Sequence, residues 1–168
     1  MRNRTTFERD VILKKYIFTL IILTILLMNG CSKAMTIEDL PTITSSYGWR
    51  IHPISGEYKF HTGIDFYMEI GTPVYALMNS YIISADDYND GYGKQILLYN
   101  YNNTYIRFAH LSEINVTAGQ YITAGDLIGL SGATGNVTGP HLHLEYMVLD
   151  GSGNYVYEDP LVLYGLKN

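Results

Sequence analysis

Two short histidine-containing segments of the 168-residue chain carry the residue types of a metal site. His61 and Asp65 are four residues apart, and a single leucine separates His141 from His143. In a β-strand these even spacings place both members of a pair on one face. Two imidazoles and a carboxylate with one open position are typical of a catalytic zinc site, where the metal lowers the pKa of a bound water to about 7. The residues therefore indicate hydrolysis by an activated water.

Each pair alone also has an ordinary structural explanation. A His-x-His pair in a strand is more often a surface or cross-strand pair than a pair of ligands, and His-x-x-x-Asp arises readily by chance. Sheet histidines hydrogen-bonded to backbone or tyrosine groups are therefore the alternative interpretation. The concentration of these groups in a domain with few other titratable residues favours the metal site.

The segments that carry these residues predict a mainly β, mostly antiparallel domain with short loops. After residue 41 no run of ten residues has the periodicity of an amphipathic helix. Short runs rich in Tyr, Ile, Val and Thr alternate instead with turn residues, and Asn102-Asn103 predicts a hairpin tip. We predict strands at 58–66, 74–76, 81–85, 94–99, 105–109, 120–122, 127–130 and 141–148.

Composition and charge exclude several classes of protein. The chain is 47% hydrophobic and 16% charged with one cysteine, which argues against disorder, a collagen and a disulfide scaffold. A formal charge of -5 argues against a nucleic-acid partner, since nucleic-acid binders usually show a basic face. Tyrosine is abundant, at 16 residues, so an aromatic-lined groove for a peptide or sugar is one interpretation and ordinary strand positions are the other.

The first 30 residues predict an export signal. Residues 2–15 hold five basic residues, and residues 16–28 are an uncharged run too short to span a bilayer comfortably. Removing the five basic and two acidic residues of 1–30 from the totals of 11 and 16 leaves six and 14, a formal charge of -8. The exported part is thus distinctly acidic.

Cys31 follows this segment directly and is the only cysteine of the sequence, so it forms no internal disulfide. Its position resembles the lipidation site of bacterial lipoproteins, which predicts a lipidated Cys31, a linker over 31–40 and a catalytic domain over 41–168. The alternative is that residues 1–30 are an uncleaved membrane anchor. Both interpretations place the domain outside the cytoplasm and tether it to a membrane.

Four separated blocks of the sequence resemble the lysostaphin/LytM-type zinc metallopeptidases. They follow one another in the family's order through 43–164, and four matches with compatible spacing make the resemblance specific. The blocks are SYGWRIHP at 46–53, FHTGIDF at 60–66, YIRFAHLS at 105–112 and SGATGNVTGPHLHLE at 131–145.

The resemblance implies a role for each residue of the candidate site. His61, Asp65 and His143 match the family's ligands to one zinc ion per chain, and His110 and His141 match its two non-ligand histidines. No helical His-Glu-x-x-His is present to supply a glutamate base, so an imidazole with a pKa near 6.5 is the natural substitute. Either His110 or His141 could accept the water's proton, and the spacing leaves the two roles open.

Two neighbouring residues have two interpretations each. Glu145 continues the face of His141 and His143, and it either holds the second ring nitrogen of a ligand or forms a plain salt bridge. His52 matches a family position outside the metal set and is either structural or groove-lining.

The resulting expectation is a zinc endopeptidase that hydrolyses the stem peptides or cross-bridges of bacterial peptidoglycan. We expect a monomer, tethered to the membrane by its N-terminal lipid or anchor, with peptidoglycan as its partner. One rival is a catalytically silent regulator of wall amidases on the same fold, and another is a zinc-dependent structural module. Silent relatives typically lack ligand positions, and a structural site closes its fourth position with a protein ligand.

Overall fold

Residues 40–166 are the part of the chain that the computed structural model describes, and they form 13 strands and one short 3₁₀ helix, Pro160–Tyr164. Every strand pair is antiparallel, which confirms the predicted mainly β, antiparallel class. The strands are β1 (Ile43–Ser45), β2 (Gly48–Ile51), β3 (Tyr58–His61), β4 (Gly63–Phe66), β5 (Pro73–Tyr75), β6 (Ser80–Asp87), β7 (Lys94–Asn100), β8 (Thr104–Leu111), β9 (Glu113–Ile114), β10 (Tyr121–Ile122), β11 (Leu127–Leu130), β12 (Leu142–Leu149) and β13 (Tyr155–Glu158).

Three sheets are formed, and the largest positions the candidate site. Its order is β1-β4-β12-β8-β7-β6-β10, and β13 pairs with the second half of β12. The smaller sheets are β5-β11-β9 and the two-stranded ribbon β2-β3. Because β12 has β8 on one side and β4 on the other, its first half lies in the middle of the main sheet.

The two faces of the main sheet differ in chemistry because successive side chains of a strand alternate between them. On β12, Leu142 and Leu144 enter the hydrophobic core, where the β5-β11-β9 sheet contributes Val74 and Ile128. His143 and Glu145 occupy the alternate positions and point to the other face. Other members of the core are Ile64, Phe66, Ile82, Ile96, Leu98, Ile106, Phe108, Leu111 and Leu161.

The predicted strand at 58–66 is in fact two strands that belong to different sheets. It breaks at Thr62, because β3 pairs with β2 in the ribbon whereas β4 pairs with β1 and β12 in the main sheet. The predicted start of the last long strand was also wrong by one residue. His141 precedes β12 and makes an isolated bridge with Gly132.

The predicted hairpin tip at Asn102-Asn103 is confirmed. These residues lie in the turn between β7 and β8, and Asn103 has a φ of 55°, a left-handed conformation that asparagine tolerates better than most residues. Strands β1, β2, β9 and β13 were not predicted. They are two to four residues long, too short for the alternation of side chains to stand out in the sequence.

No helix within residues 40–166 has the length and apolar character needed to cross a membrane. The predicted export signal over 1–30, Cys31 and the linker up to residue 39 lie outside the described residues.

Candidate metal centre

His61, Asp65 and His143 converge from three strands. His61 is the last residue of β3, Asp65 lies in β4, and His143 is the register partner of Asp65 on β12. All three side chains are buried. One nitrogen or oxygen atom from each lies within 4.8 Å of the other two. The two segments singled out in the sequence are therefore brought together by the pairing of β4 with β12.

The spacing of the three donor atoms fits a tetrahedral metal ion. His61 Nε2 lies 3.2 Å from His143 Nδ1 and 3.3 Å from Asp65 Oδ1, and His143 Nδ1 lies 2.8 Å from Asp65 Oδ1. Zinc bonds of 2.0–2.1 Å at tetrahedral angles separate the ligand atoms by about 3.3 Å. Two of the three separations match this value, and the third is somewhat shorter.

Polar contacts on the outer side of the His61 and His143 rings direct one nitrogen of each ring towards the space between the three donor atoms. Nδ1 of His61 lies 2.9 Å from the carbonyl oxygen of Ser46, so Nδ1 carries the ring proton and Nε2 is left unprotonated. Nε2 of His143 lies 3.3 Å from Glu145 Oε1, which favours the proton on that nitrogen, although the geometry falls short of a hydrogen bond. Two lone pairs beside a carboxylate repel one another unless a cation lies between them.

The electrostatics of these residues favour a bound cation. Burial opposes ionisation of Asp65, but the adjacent rings of His143 and His61 nevertheless lower the pKa of its carboxyl. Burial likewise opposes protonation of His143, but the adjacent carboxylates of Asp65 and Glu145 raise its pKa. The carboxylates that attract a proton here would attract a metal ion equally, so the donor set fits zinc.

His110 and His141 lie beside this cluster, with ring centroids 4.7 Å apart. Nδ1 of His110 is 2.9 Å from the carbonyl oxygen of Thr134, and Nδ1 of His141 is 2.9 Å from that of Gly139. Each ring therefore holds its proton on Nδ1 and leaves Nε2 as an acceptor. Nε2 of His141 approaches Asp65 Oδ1 to 3.7 Å. All five residues named from the sequence thus meet at one place.

His110 has an unusual backbone conformation, with a φ of 62° near the end of β8. Few residues other than glycine adopt this left-handed conformation, and such positions concentrate at functional sites. The backbone N–H of His110 donates to the carbonyl oxygen of Tyr92 at 2.9 Å, which helps to hold His110 in this conformation. Burial lowers the pKa of the His110 ring to about 4, so the ring is neutral and able to accept a proton.

A cavity of about 690 Å³ opens over the five residues. One wall is the β2-β3 ribbon, which contributes Arg50 and Lys59, and the opposite wall is formed by residues 90–92 and 136–138. His52 lines the cavity too, and its Nδ1 accepts hydrogen bonds from the backbone N–H groups of Ile54 and Ser55. Both interpretations of His52 therefore apply. The volume lies within the range of small-molecule sites.

Glu145 anchors the cluster from behind and is fully buried. Its Oε1 accepts hydrogen bonds from Thr62 Oγ1 and, at 2.8 Å, from the Tyr92 hydroxyl, and its Oε2 lies 3.2 Å from Arg107 Nη1. Burial alone would raise its pKa, but His143 and Arg107 lower it to about 2. Glu145 therefore combines both interpretations, because it forms a salt bridge and also approaches a metal-site histidine.

Thr62, Tyr92 and Arg107 support the site but were not recognised from the sequence. Arg107 lies over the Tyr92 ring at 4.4 Å from its centroid, so the two residues enclose the buried carboxylate together. One sequence signal was present for Arg107, which is the only charged residue of β8. A charge within a mostly buried strand requires a partner.

Gly63 allows β4 and β12 to approach closely at this point. A Cβ atom there would lie 2.4 Å from the carbonyl oxygen of Leu144 and 2.8 Å from Cε1 of His143. The contact with a backbone atom leaves no room for a larger residue. Gly63 is therefore required by the packing of β4 against β12.

The buried carboxylate of Glu145 leads to a prediction about metal affinity. Glu145→Gln keeps the size of the side chain but removes the charge that orients His143, so we expect zinc affinity to fall by about 10- to 100-fold. Competition with a zinc chelator measures this directly. Glu113→Gln, at an exposed position of β9, is the matched control. Equal affinity of both variants and the parent would show that Glu145 is a purely structural ion-pair partner.

Comparison with known proteins agrees with this geometry. The sequence profile of Peptidase family M23 matches residues 59–157, which include all five residues. Lysostaphin of Staphylococcus staphylolyticus is 40% identical over 116 residues, or 68% of this chain and 24% of the relative. Peptidoglycan DD-endopeptidase ShyA of Vibrio cholerae serotype O1 is 44% identical over 100 residues, or 59% of this chain and 23% of the relative.

The fold is similar to that of a solved peptidase domain. The crystallized catalytic domain of the antimicrobial peptidase lysostaphin from Staphylococcus simulans is 37% identical, with a TM-score of 0.66. The match covers 75% of this chain and 93% of that domain. In contrast, the chain spans only about a quarter of the length of the full-length relatives.

Proposed function

Because the chain belongs to peptidase family M23, we propose that it is a zinc-dependent endopeptidase that hydrolyses peptide bonds in bacterial cell-wall peptidoglycan. The observation that carries the proposal is the donor set of His61, Asp65 and His143, whose three buried donor atoms have separations close to those of tetrahedral ligands. The substrate class is supported by relatives such as ShyA, which is named a peptidoglycan DD-endopeptidase.

The chain supplies the remaining parts of a hydrolytic mechanism. Zinc bound by the three donors would supply a water with a pKa near 7 and a Lewis acid for the substrate carbonyl. His110 and His141 line the same cavity with Nδ1 held by a backbone carbonyl oxygen, and Nε2 of either ring can take a proton and return it to the leaving amine. The walls of the cavity hold the peptide so that its carbonyl faces these rings.

The presence of all five residues at one cavity supports this proposal over its rivals. A structural zinc site closes its fourth position with a protein ligand, and a silent regulator of wall amidases has no need of two positioned acceptor rings. In the described residues His110 and His141 are held by backbone carbonyls at Nδ1, which leaves the opposite nitrogen of each ring for substrate.

The direct test is cleavage of purified peptidoglycan. We expect the full chain, purified in detergent and loaded with zinc, to release muropeptide fragments that mass spectrometry assigns to peptide-bond cleavage. A chelator should stop the release and added zinc should restore it. Walls with direct cross-links and walls with glycine bridges should be assayed in parallel, since this identifies the bond. If neither type of wall shows chelator-sensitive cleavage, the proposed endopeptidase activity is refuted.

We also propose that Cys31 carries a lipid that tethers the domain to the outer side of a membrane. The proposal rests on the sequence of residues 1–31, with its basic segment, short apolar run and following cysteine. Cys31→Ala should release the chain from membranes or leave an unprocessed precursor that is visible by its greater mass. Unchanged mass and membrane retention would instead indicate an uncleaved anchor over 1–30.

A further inference from the structure

A row of tyrosines crosses four neighbouring strands of the main sheet. Tyr121 on β10 pairs in register with Tyr81 on β6, Tyr81 pairs with Tyr99 on β7, and Tyr99 pairs with Tyr105 on β8. Directly paired residues of adjacent strands point to the same face. We call these four residues together with Tyr155 of β13 the tyrosine row.

The rings of the tyrosine row contact one another rather than the core. Ring centroids are 5.0 Å apart for Tyr81 and Tyr121, 5.1 Å for Tyr99 and Tyr105, and 4.9 Å for Tyr105 and Tyr155. Tyr81, Tyr121 and Tyr155 are 40%, 44% and 50% exposed. A cluster of exposed aromatic rings on one sheet face is a candidate binding surface.

The tyrosine row lies on the same face of the sheet as the candidate metal centre. Tyr105, Arg107 and Ala109 alternate with the core residues of β8, and Ala109 is the register partner of His143. Four residues of strand separate Tyr105 from Ala109, a distance of about 13 Å. The row therefore lies on the same face as the metal centre, and the buried Glu145 on β12 lies between the two.

The chemistry of the row fits a neutral polymer of hydroxylated rings. The five side chains carry no formal charge and combine a flat apolar ring with a hydroxyl group. Sugar rings present an apolar C–H face and a rim of hydroxyl groups, so they can stack on tyrosine rings while the rim bonds to the tyrosine hydroxyl groups.

We propose that the tyrosine row binds the glycan strand of peptidoglycan while the attached peptide occupies the cavity. The inference deepens the proposed function and rests on it for the identity of the polymer. An anionic membrane surface fits less well, because such surfaces attract Lys and Arg and residues 31–168 carry a formal charge of -8. The row holds the insoluble substrate without a separate wall-binding segment in residues 40–166.

The test uses the purified full chain and glycan strands from which all peptides have been removed. Tyr81→Thr and Tyr155→Thr are the variants, singly and together, because threonine keeps the preference for strands. The matched control is Tyr75→Thr, since Tyr75 is 52% exposed on β5 of a different sheet. We expect the double variant to bind glycan about tenfold more weakly and the control to bind like the parent.

A kinetic comparison provides a second readout. For the double variant KM on whole peptidoglycan should rise, whereas kcat/KM on a sugar-free cross-linked peptide should equal that of the parent. If the double variant failed to fold, the single variant Tyr155→Thr would test glycan binding instead. Tyr155 lies in the short strand β13, which among the described strands pairs only with β12, so this change disturbs few contacts.

The outcomes separate this inference from the proposed function. Tyrosine-dependent glycan binding by a chain that cleaves no peptide would support glycan binding by the tyrosine row and refute the proposed peptidase activity. Equal glycan binding by the double variant and the parent would refute glycan binding by the row and leave the proposed peptidase activity unaffected. Loss of a dimer in the double variant, with glycan binding unchanged, would assign the row to self-association and overturn the inference as well.

Discussion

We expect His143→Ala to lose the zinc ion and, with it, most of the proposed peptidase activity. Nδ1 of this ring is one of three donor atoms and lies 2.8 Å from Asp65 Oδ1 and 3.2 Å from His61 Nε2. Without it the remaining two donors form an incomplete set for a tetrahedral ion. A Lewis acid contributes several kcal/mol to transition-state stabilisation, so we expect activity to fall by at least roughly 10³-fold.

Metal content after extensive dialysis is the primary measurement for this variant. The parent should retain one zinc per chain and His143→Ala should retain none. His52→Ala is the matched control, because His52 lines the same cavity but its Nδ1 is bonded to the backbone of a turn. Equimolar zinc in His143→Ala would mean that the donor set has been assigned wrongly.

A stability measurement separates metal loss from misfolding. Zinc that binds the folded chain raises its stability by RT ln(1 + [L]/Kd), which amounts to about 4 kcal/mol at 1,000 times Kd. The parent should therefore unfold at a higher temperature with zinc than with chelator. His143→Ala should unfold at the same temperature under both conditions, since it has no site to fill.

The sequence predicted the candidate site better than it predicted the strands that form it. Alternation along 141–148 placed His143 and Glu145 opposite Leu142 and Leu144, and the structure agrees. Alternation depends only on the local geometry of a strand, so it survives errors in strand boundaries. The break at Thr62 was missed because it arises from pairing with two different sheets, which is a property of the whole fold.

The residues that support the metal centre from behind could be identified only from the structure. Arg107 and Tyr92 lie 38 and 53 residues before Glu145 in the sequence, and only the pairing of β8 with β12 brings Arg107 opposite that carboxylate. Short-range spacing carries no information about such pairs. The abundance of tyrosine was evident from the sequence, but the alignment of Tyr121, Tyr81 and Tyr99 in one row depends on strand register.

His110→Ala and His141→Ala should each keep zinc and lose activity. Neither ring belongs to the group of His61, Asp65 and His143, whose donor atoms lie within 4.8 Å of one another. Each holds Nδ1 against a backbone carbonyl oxygen at 2.9 Å and leaves Nε2 for the substrate side. Proton transfer by a positioned side chain contributes about 10²- to 10⁴-fold, so we expect kcat to fall by that factor in each variant. Metal analysis and steady-state kinetics on one peptide substrate measure both properties.

Two controls accompany these variants. His110→Gln and His141→Gln keep a hydrogen-bonding group near the position of Nε2 but cannot shuttle a proton, so they should be as inactive as the alanine variants if proton transfer is the role. Recovery of activity in one glutamine variant would assign that position to hydrogen bonding of the developing oxyanion instead. Loss of zinc in His110→Ala to the extent seen in His143→Ala would contradict the division between donors and acceptors.

The double variant His110→Ala/His141→Ala shows whether the two rings act as one unit. Their centroids are 4.7 Å apart at one cavity, which is close enough for both to contact the same reacting group. If one ring accepts the proton and the other stabilises the resulting charge in the same step, removing both should cost little more than removing the more important one. If the fold loss of activity in the double variant equals the product of the two single losses, the rings act in independent steps. One ring would then serve attack of the water and the other departure of the amine. The ratio of the double to the single losses therefore assigns the roles that spacing and distance leave equivalent.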